Sequence, residues 1–143
     1  MTGLDGRRHT LPRSASLKRR NWIRPLFDRS RSDVVSVVGG CIRILFRIVH
    51  GEHPVRGRRA YTGFSAGSSI RLAVNRNLIK RRLKESYRLN QNVLTDCMPL
   101  SGILTLMILY RHKSLKSFQE IDLDLCRSLS AAAAKIDEAF NNG

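Results

Sequence analysis

A run of cationic side chains recurs at helical spacing between Leu72 and Asn90. The segment contains neither Pro nor Gly, and most of its residues favour an α-helix. At about 100° per residue, one face collects these polar side chains: Asn77, Lys80, Arg81, Lys84 and Arg88. Only Glu85 relieves the positive charge, although like charges one turn apart repel each other. Such a face is either merely solvated or binds an anion, and closely spaced nucleic-acid phosphates are the obvious anion.

The opposite face of this helix is apolar. It comprises Leu72, Ile79, Leu83 and Ser86, with Tyr87 at its edge. This stripe predicts that the helix packs on a core and turns its cations outward. Arg76 lies near the apolar edge, where a guanidinium must reach a partner or extend to solvent.

The segment resembles the RNR signature of the bacterial ribonuclease P protein family. The matching residues are Ala73, Val74, Arg76, Asn77, Ile79, Lys80, Arg81, Leu83, Lys84, Glu85 and Arg88. The resemblance implies that this helix docks on a catalytic RNA subunit near its active site. The RNA-binding residues so implied are Arg76, Asn77, Lys80, Arg81, Lys84 and Arg88, together with Arg71. Arg71 supplies one cation ahead of the helix, where the family usually has lysines.

The resemblance also implies a cleft between the first helix and the sheet, which takes the single-stranded 5′ leader of precursor tRNA. The family has a pair of phenylalanines in its first helix, and Ile23 and Phe27 stand at those positions. Aromatic rings can stack on unpaired bases. The residues expected in the cleft are therefore Phe27, Phe46, Tyr61 and Trp22. The alternative for these aromatic residues is core packing.

No catalytic constellation is evident in the chain. The histidines His9, His50, His53 and His112 are scattered, without a nucleophile or carboxylate at a motif spacing. Asp122 and Asp124 lie two residues apart on a predicted helix and do not share a face, which is poor geometry for a metal pair. A basic protein of this kind is expected to bind RNA and to work with another molecule. In the family, the RNA subunit is the catalyst, and it holds the Mg²⁺ ions with the substrate.

Composition locates the basic surface. The 143 residues carry a formal net charge of +15. Residues 1–90 hold 21 basic and 5 acidic side chains, whereas residues 91–143 hold 5 basic and 6 acidic ones. The first two-thirds are therefore expected to bind the anion, and the last third to serve as scaffold.

The location predicted from the sequence is the cytoplasm. Cys41, Cys97 and Cys126 are odd in number and far apart, which favours reduced thiols. The longest apolar run, from Ile103 to Tyr110, is too short to cross a membrane. Ribonuclease P RNA and precursor tRNA are the partners that the resemblance implies, with no membrane and no obligate protein partner.

We expect the chain to divide into a disordered basic arm, residues 1–16, and an RNA-binding domain, residues 17–143. The domain begins with a short helix within Leu17–Arg29, for which Asn21 is a plausible N-cap and Pro25 fits the first turn. Strands are predicted over Cys41–Val49 and Arg58–Ala66, with a turn at residues 51–57 between them.

The basic helix follows, with Ser68 or Ser69 as its expected N-cap. The apolar run Ile103–Tyr110 suits a strand that is buried on both faces. Ser117 and Glu120 fit a capping box that opens the last helix, which runs to about Phe140. The inner stripe of this helix is Ile121, Leu125, Leu129, Ala132, Ile136 and Phe140.

These elements predict a small single α+β domain of order α-β-β-α-β-α, with a possible further strand near Val34–Val38 and helices packed on a central sheet. A helix between two strands indicates that two strands are parallel. Such crossovers are right-handed by default. The resemblance instead implies a left-handed βαβ crossover, in a fold of the ribosomal protein S5 domain 2 type.

Two other functions fit the charge. A structural RNA-binding protein of the ribosomal type would have the same electrostatics without turnover. A DNA-binding protein could use the basic helix in a groove, but no turn-linked helix precedes it, as a helix-turn-helix motif would require.

Overall fold

The computed structural model describes Leu17 and residues 20–49, 60–95 and 102–141. The predicted arm over residues 1–16 and the turn over residues 51–57 lie outside the described residues. The elements in chain order are α1 (Arg20–Ile23), a 3₁₀ turn (Arg24–Phe27), β1 (Val35–Gly39), β2 (Ile42–Val49), β3 (Ala60–Ser65), α2 (Ala73–Asn90), α3 (Asn92–Thr95), β4 (Ile103–Tyr110) and α4 (Phe118–Asn141). The predicted α+β class, element order and further strand are confirmed, and the short α3 is an addition.

The four strands form one mixed sheet in the order β1-β2-β4-β3. β2 pairs antiparallel with both β1 and β4, and Ile42 lies opposite Tyr110. β3 pairs parallel with β4, and Ser65 lies opposite Leu109. The chain passes from β3 to β4 through α2, so the predicted parallel pair is confirmed. The left-handed crossover stays a prediction.

The two faces of the sheet carry different layers. On one face, α2 and α4 cover the main core, which includes Ile44 and Leu106 from the sheet and Leu83 and Leu125 from the helices. On the other face, α1 and the 3₁₀ turn cover a smaller cluster that comprises Leu17, Trp22, Leu26 and Ile103. Because β4 is buried from both sides, nearly all of its side chains are apolar, as its sequence predicted.

α4 begins at the predicted capping box. The amide of Ser117 donates to Glu120 Oε1 at 3.2 Å, and the amide of Glu120 donates to Ser117 Oγ at 3.2 Å. The inner stripe from Ile121 to Ile136 is buried, whereas the side chain of Phe140 lies outside the described residues. Pro25 occupies the first turn of the 3₁₀ turn, also as predicted.

Three predictions at the helix starts are wrong. Asn21 lies inside α1, which already includes Arg20. Neither Ser68 nor Ser69 caps α2, because the residue before that helix is Leu72 and no side chain caps it. Leu72 is also 62% exposed rather than in the core. Its backbone is extended (φ −87°, ψ 133°), so its side chain does not follow the helical periodicity.

The carboxylate of Asp122 joins α4 to α2. Its Oδ1 accepts a hydrogen bond from Ser86 Oγ at 2.6 Å and another from Asn90 Nδ2 at 3.2 Å. Ser86 is completely buried, so its hydroxyl depends on this partner. Asp124 instead accepts from the amide of Cys41 at 3.0 Å. The two carboxylates thus serve different neighbours, as their predicted separation on the helix requires.

We expect Asp122→Ala to lower the free energy of unfolding by about 1–3 kcal/mol, because it leaves a buried hydroxyl without its acceptor. Urea unfolding followed by circular dichroism measures this loss. Asp137→Ala removes an exposed carboxylate from the same helix and is the matched control. Equal urea midpoints for the two variants would show that the bond to Ser86 contributes no stability.

Candidate nucleic-acid interface

The packing of α2 fixes which of its side chains face outward. Ile79, Leu83, Ser86 and Tyr87 are buried against the sheet and α4. On the outward side, Asn77, Arg81 and Lys84 are exposed, Lys80 and Arg88 are half-buried, and Arg71 is exposed just ahead of the helix. The predicted orientation of the basic face is therefore confirmed. Its binding to RNA stays a prediction.

Arg76 uses its charge within the protein. Its Nη1 donates hydrogen bonds to the carbonyl oxygens of Ile70 and Arg71, each at 2.8 Å. These carbonyls belong to the turn that leads into α2. Arg76 therefore holds this turn against the helix, which explains how a guanidinium is accommodated at the apolar edge.

The remaining cations of α2 differ in how freely they can meet an anion. Arg88 pairs with Glu85, and its hydrogen bond lowers the pKa of that carboxyl. Lys80, Arg81 and Lys84 form no ion pair with any other described residue. These three cations are therefore the side chains of α2 best placed to neutralise phosphates.

A cleft of about 400 Å³ opens on the sheet face away from α2 and α4. It lies between the 3₁₀ turn and strands β1, β2 and β4. Its lining residues are Leu26, Phe27, Asp28, Arg29, Arg31, Val34, Ser36, Arg43, Leu45 and Leu109. The lining combines apolar residues with three arginines and one carboxylate, Asp28, and bases and phosphates of a single strand require apolar and cationic groups together.

The structure separates the four aromatic residues that were predicted in the cleft. Phe27 lines it and is 49% exposed. Tyr61 is half-buried, and its ring centroid lies 5.2 Å from that of Trp22. Trp22 is only 4% exposed, within the small cluster under α1. Trp22 therefore packs in a core and offers no free ring to a base.

The placement of Phe46 in the cleft is wrong. Its side chain is 3% exposed and belongs to the main core under α2 and α4. Successive side chains of a strand point to opposite faces, so Phe46 shares its face with Ile44, while Arg43 and Leu45 face the cleft. Phe46 is thus on the wrong side of the sheet to meet a strand held in the cleft.

The cations of the cleft were not predicted. Alternation along β2 could have identified Arg43, because it shares a face with Leu45 and Arg47. Asp33 accepts from Arg31 at 2.9 Å and from Arg47 at 2.7 Å, and these bonds hold the pKa of its carboxyl far below the usual range. Arg29 and Arg43 form no ion pair within the described ranges.

The described residues include no group of three or more His, Cys, Asp or Glu side chains that could hold a metal ion. Cys41 and Cys126 are free thiols, and burial raises the pKa of Cys41 to about 12. Within the same residues, none of the helices combines the length and apolar character needed to cross a bilayer.

Comparisons with known proteins agree on one family. The family model for ribonuclease P matches residues 11–133. A ribonuclease P protein component from Porphyromonas gingivalis is 28% identical over 130 residues, which span 88% of each chain.

Two solved structures have a similar fold. The RNase P protein of Staphylococcus aureus has a TM-score of 0.59 at 15% identity, covering 82% of this chain and 94% of that one. The RNase P protein from Thermotoga maritima has a TM-score of 0.59 at 21% identity, covering 81% and 96%.

We expect Arg76→Met to lower the free energy of unfolding by about 1–2 kcal/mol, because two backbone carbonyls lose a charged donor. Arg81→Met removes the same charge from an exposed site of the same helix and is expected to leave stability unchanged. Urea unfolding of both variants measures the difference. Equal stability of the two variants would contradict the structural role of Arg76.

Proposed function

Because this chain belongs to the ribonuclease P protein family, we propose that α2 binds the RNA subunit of that enzyme and that the cleft receives the 5′ leader of precursor tRNA. The chain is a protein component of ribonuclease P and acts in tRNA 5′ maturation.

One observation carries this assignment. The outward face of α2 and the cleft are separate surfaces, because they lie on opposite sides of the β-sheet. The first is a convex row of cations that suits the phosphates of a folded RNA. The second is a groove with an exposed aromatic ring, which suits an unpaired strand. The protein can therefore hold two RNA segments at once.

This arrangement supports a positioning role for the protein. We infer that the RNA subunit carries the catalytic groups and holds Mg²⁺ together with the substrate. A protein that grips both RNAs raises their effective concentration at each other's surface. Its cations also lower the repulsion between two polyanions, so less Mg²⁺ is needed to bring them together. We place this reaction in the cytoplasm.

A structural RNA-binding protein of the ribosomal type is the second candidate. Such a protein would have the same electrostatics, but membership of the ribonuclease P protein family does not favour this assignment. The two candidates differ in turnover, which a cleavage assay measures directly.

A cleavage assay tests the role of α2. We expect the chain, mixed with a bacterial-type ribonuclease P RNA and precursor tRNA at low Mg²⁺, to yield mature 5′ ends faster than the RNA alone. The Arg81→Ala/Lys84→Ala variant should need about 30-fold more protein for the same stimulation, since it loses two phosphate contacts. Arg127→Ala/Lys135→Ala removes two exposed cations from α4 and is the matched control.

The outcomes of this assay separate the two functions. No stimulation by the folded, RNA-bound wild-type chain would leave the structural RNA-binding protein as the better assignment. An equal loss in the two double variants would show that net charge matters rather than the face of α2.

A second assay tests the cleft. We expect Phe27→Ala to weaken precursor tRNA binding to the RNA–protein complex about tenfold, the value of one stacked base, and to leave mature tRNA binding unchanged. Phe27→Tyr keeps the ring and should bind like the wild type. If Phe27→Ala instead unfolds the protein, or weakens both tRNAs equally, core packing explains Phe27 better than leader binding.

A further inference from the structure

The connection between β4 and α4, residues 111–116, is an exposed basic loop with a fixed conformation. The hydroxyl of Tyr110 donates to the carbonyl of Ser114 at 2.5 Å and accepts from the amide of Lys116 at 3.0 Å. Burial raises the pKa of Tyr110, so this hydroxyl stays protonated and remains a donor at neutral pH. The imidazole Nδ1 of His112 accepts from the amide of Ser114 at 3.1 Å. Because these hydrogen bonds already order the loop, it loses little conformational entropy on binding.

Two further bonds fasten this loop to the rest of the domain. The amide of Arg111 donates to the carbonyl of Cys41 at 2.7 Å, which continues the β2–β4 ladder by one residue. Arg82 Nη1 donates to the carbonyl of Lys116. Arg82 belongs to α2, so the basic helix itself holds the end of the loop.

The exposed cations of the loop lack acidic partners. Lys116 lies 3.6 Å from Glu120 and is half-buried. Arg111 and Lys113 are exposed, and neither forms an ion pair with another described residue. Two cations therefore stand on a rigid support with their charge unneutralised.

The loop lies beside the start of α2. β3 and β4 are parallel and end together, so the turn before α2 and the loop before α4 occur at the same edge of the sheet. The two connections approach closely: a Cβ on Gly67 would lie 3.0 Å from the carbonyl oxygen of Tyr110. Arg71, in the turn, is exposed as well. Exposed cations thus lie on both connections at this edge of the sheet, Arg71 before α2 and Arg111 and Lys113 before α4.

We propose that residues 111–116 form a second contact with the phosphate backbone of the RNA subunit, and that Tyr110 and Arg82 position this contact relative to α2. The inference rests on the proposed function and extends it, since nothing in the RNR signature includes this loop. A folded RNA carries closely spaced phosphates, so a backbone that lies along α2 can extend past the first turn of the helix to the loop.

The first experiment measures affinity for the RNA subunit alone, without tRNA, as a function of salt. We expect Arg111→Ala/Lys113→Ala to bind about 30-fold more weakly at ~150 mM salt, since it gives up two counterion-releasing contacts. The slope of log affinity against log salt should fall by about two. Arg127→Ala/Lys135→Ala removes the same charge from α4 and should change neither quantity as much.

A second variant separates a positioned contact from general attraction by charge. Tyr110→Phe keeps the ring and every charge but removes the hydroxyl that joins Ser114 to Lys116. We expect it to weaken RNA-subunit binding several-fold with an unchanged salt slope, at a temperature where circular dichroism shows it folded. Wild-type affinity for Tyr110→Phe would overturn the positioning role of that residue.

The results also distinguish this inference from the function it rests on. If the wild-type chain does not bind the RNA subunit, the proposed function fails. If it binds and the loop variant matches the α4 control, only the inference about the loop is overturned. A loss confined to precursor tRNA binding would likewise overturn it, because the loop would then serve the substrate.

Discussion

The burial of Ile79 and Leu83, on the inner face of α2, determines which side chains of this helix face solvent. These side chains lock the rotation of the helix against the sheet, so the cations half a turn away face solvent. The helix is also the crossover between the parallel strands β3 and β4, which fixes its position. Because both the rotation and the position of α2 are fixed, the cations of this segment lie together on one face. Packing thus gives the charges a geometry that electrostatic repulsion alone would not.

The turn before α2 depends on the same helix. No side chain caps the first residues of α2, and Arg76 instead reaches back to the carbonyls of Ile70 and Arg71. Arg76, a residue of the basic signature, therefore stabilises the turn from which the basic helix begins. Under the proposed function, a loss of RNA binding in an Arg76 variant would therefore report on local structure as well as on contact, whereas the same loss in an Arg81 variant would report on contact alone.

The sequence predicted the elements far better than the site. The spacing of apolar residues located α2 and α4, because one face of each helix is buried, and the unbroken apolar run located β4, because both of its faces are buried. The helix starts were wrong because several polar residues could cap, and tertiary contacts chose none of those proposed for α1 and α2. The prediction for Phe46 was wrong because an aromatic residue type does not show which face of a strand it occupies, whereas the alternation along β2 assigns this residue to the core. Arg29 and Arg31 line the cleft from an irregular loop, and the course of such a loop cannot be predicted from the spacing of apolar residues.

The acidic residues of α4 explain why the cations of α2 remain available. Asp122 bonds Ser86 and Asn90, and Asp124 bonds the amide of Cys41, so both carboxylates are satisfied by neutral donors. They tie α4 to α2 and to the β1–β2 hairpin without neutralising Arg81 or Lys84. A scaffold held together by salt bridges to the basic face would compete with phosphates for the same cations. Joining the helices through a serine and an asparagine therefore leaves Arg81 and Lys84 without an ion pair to any described carboxylate.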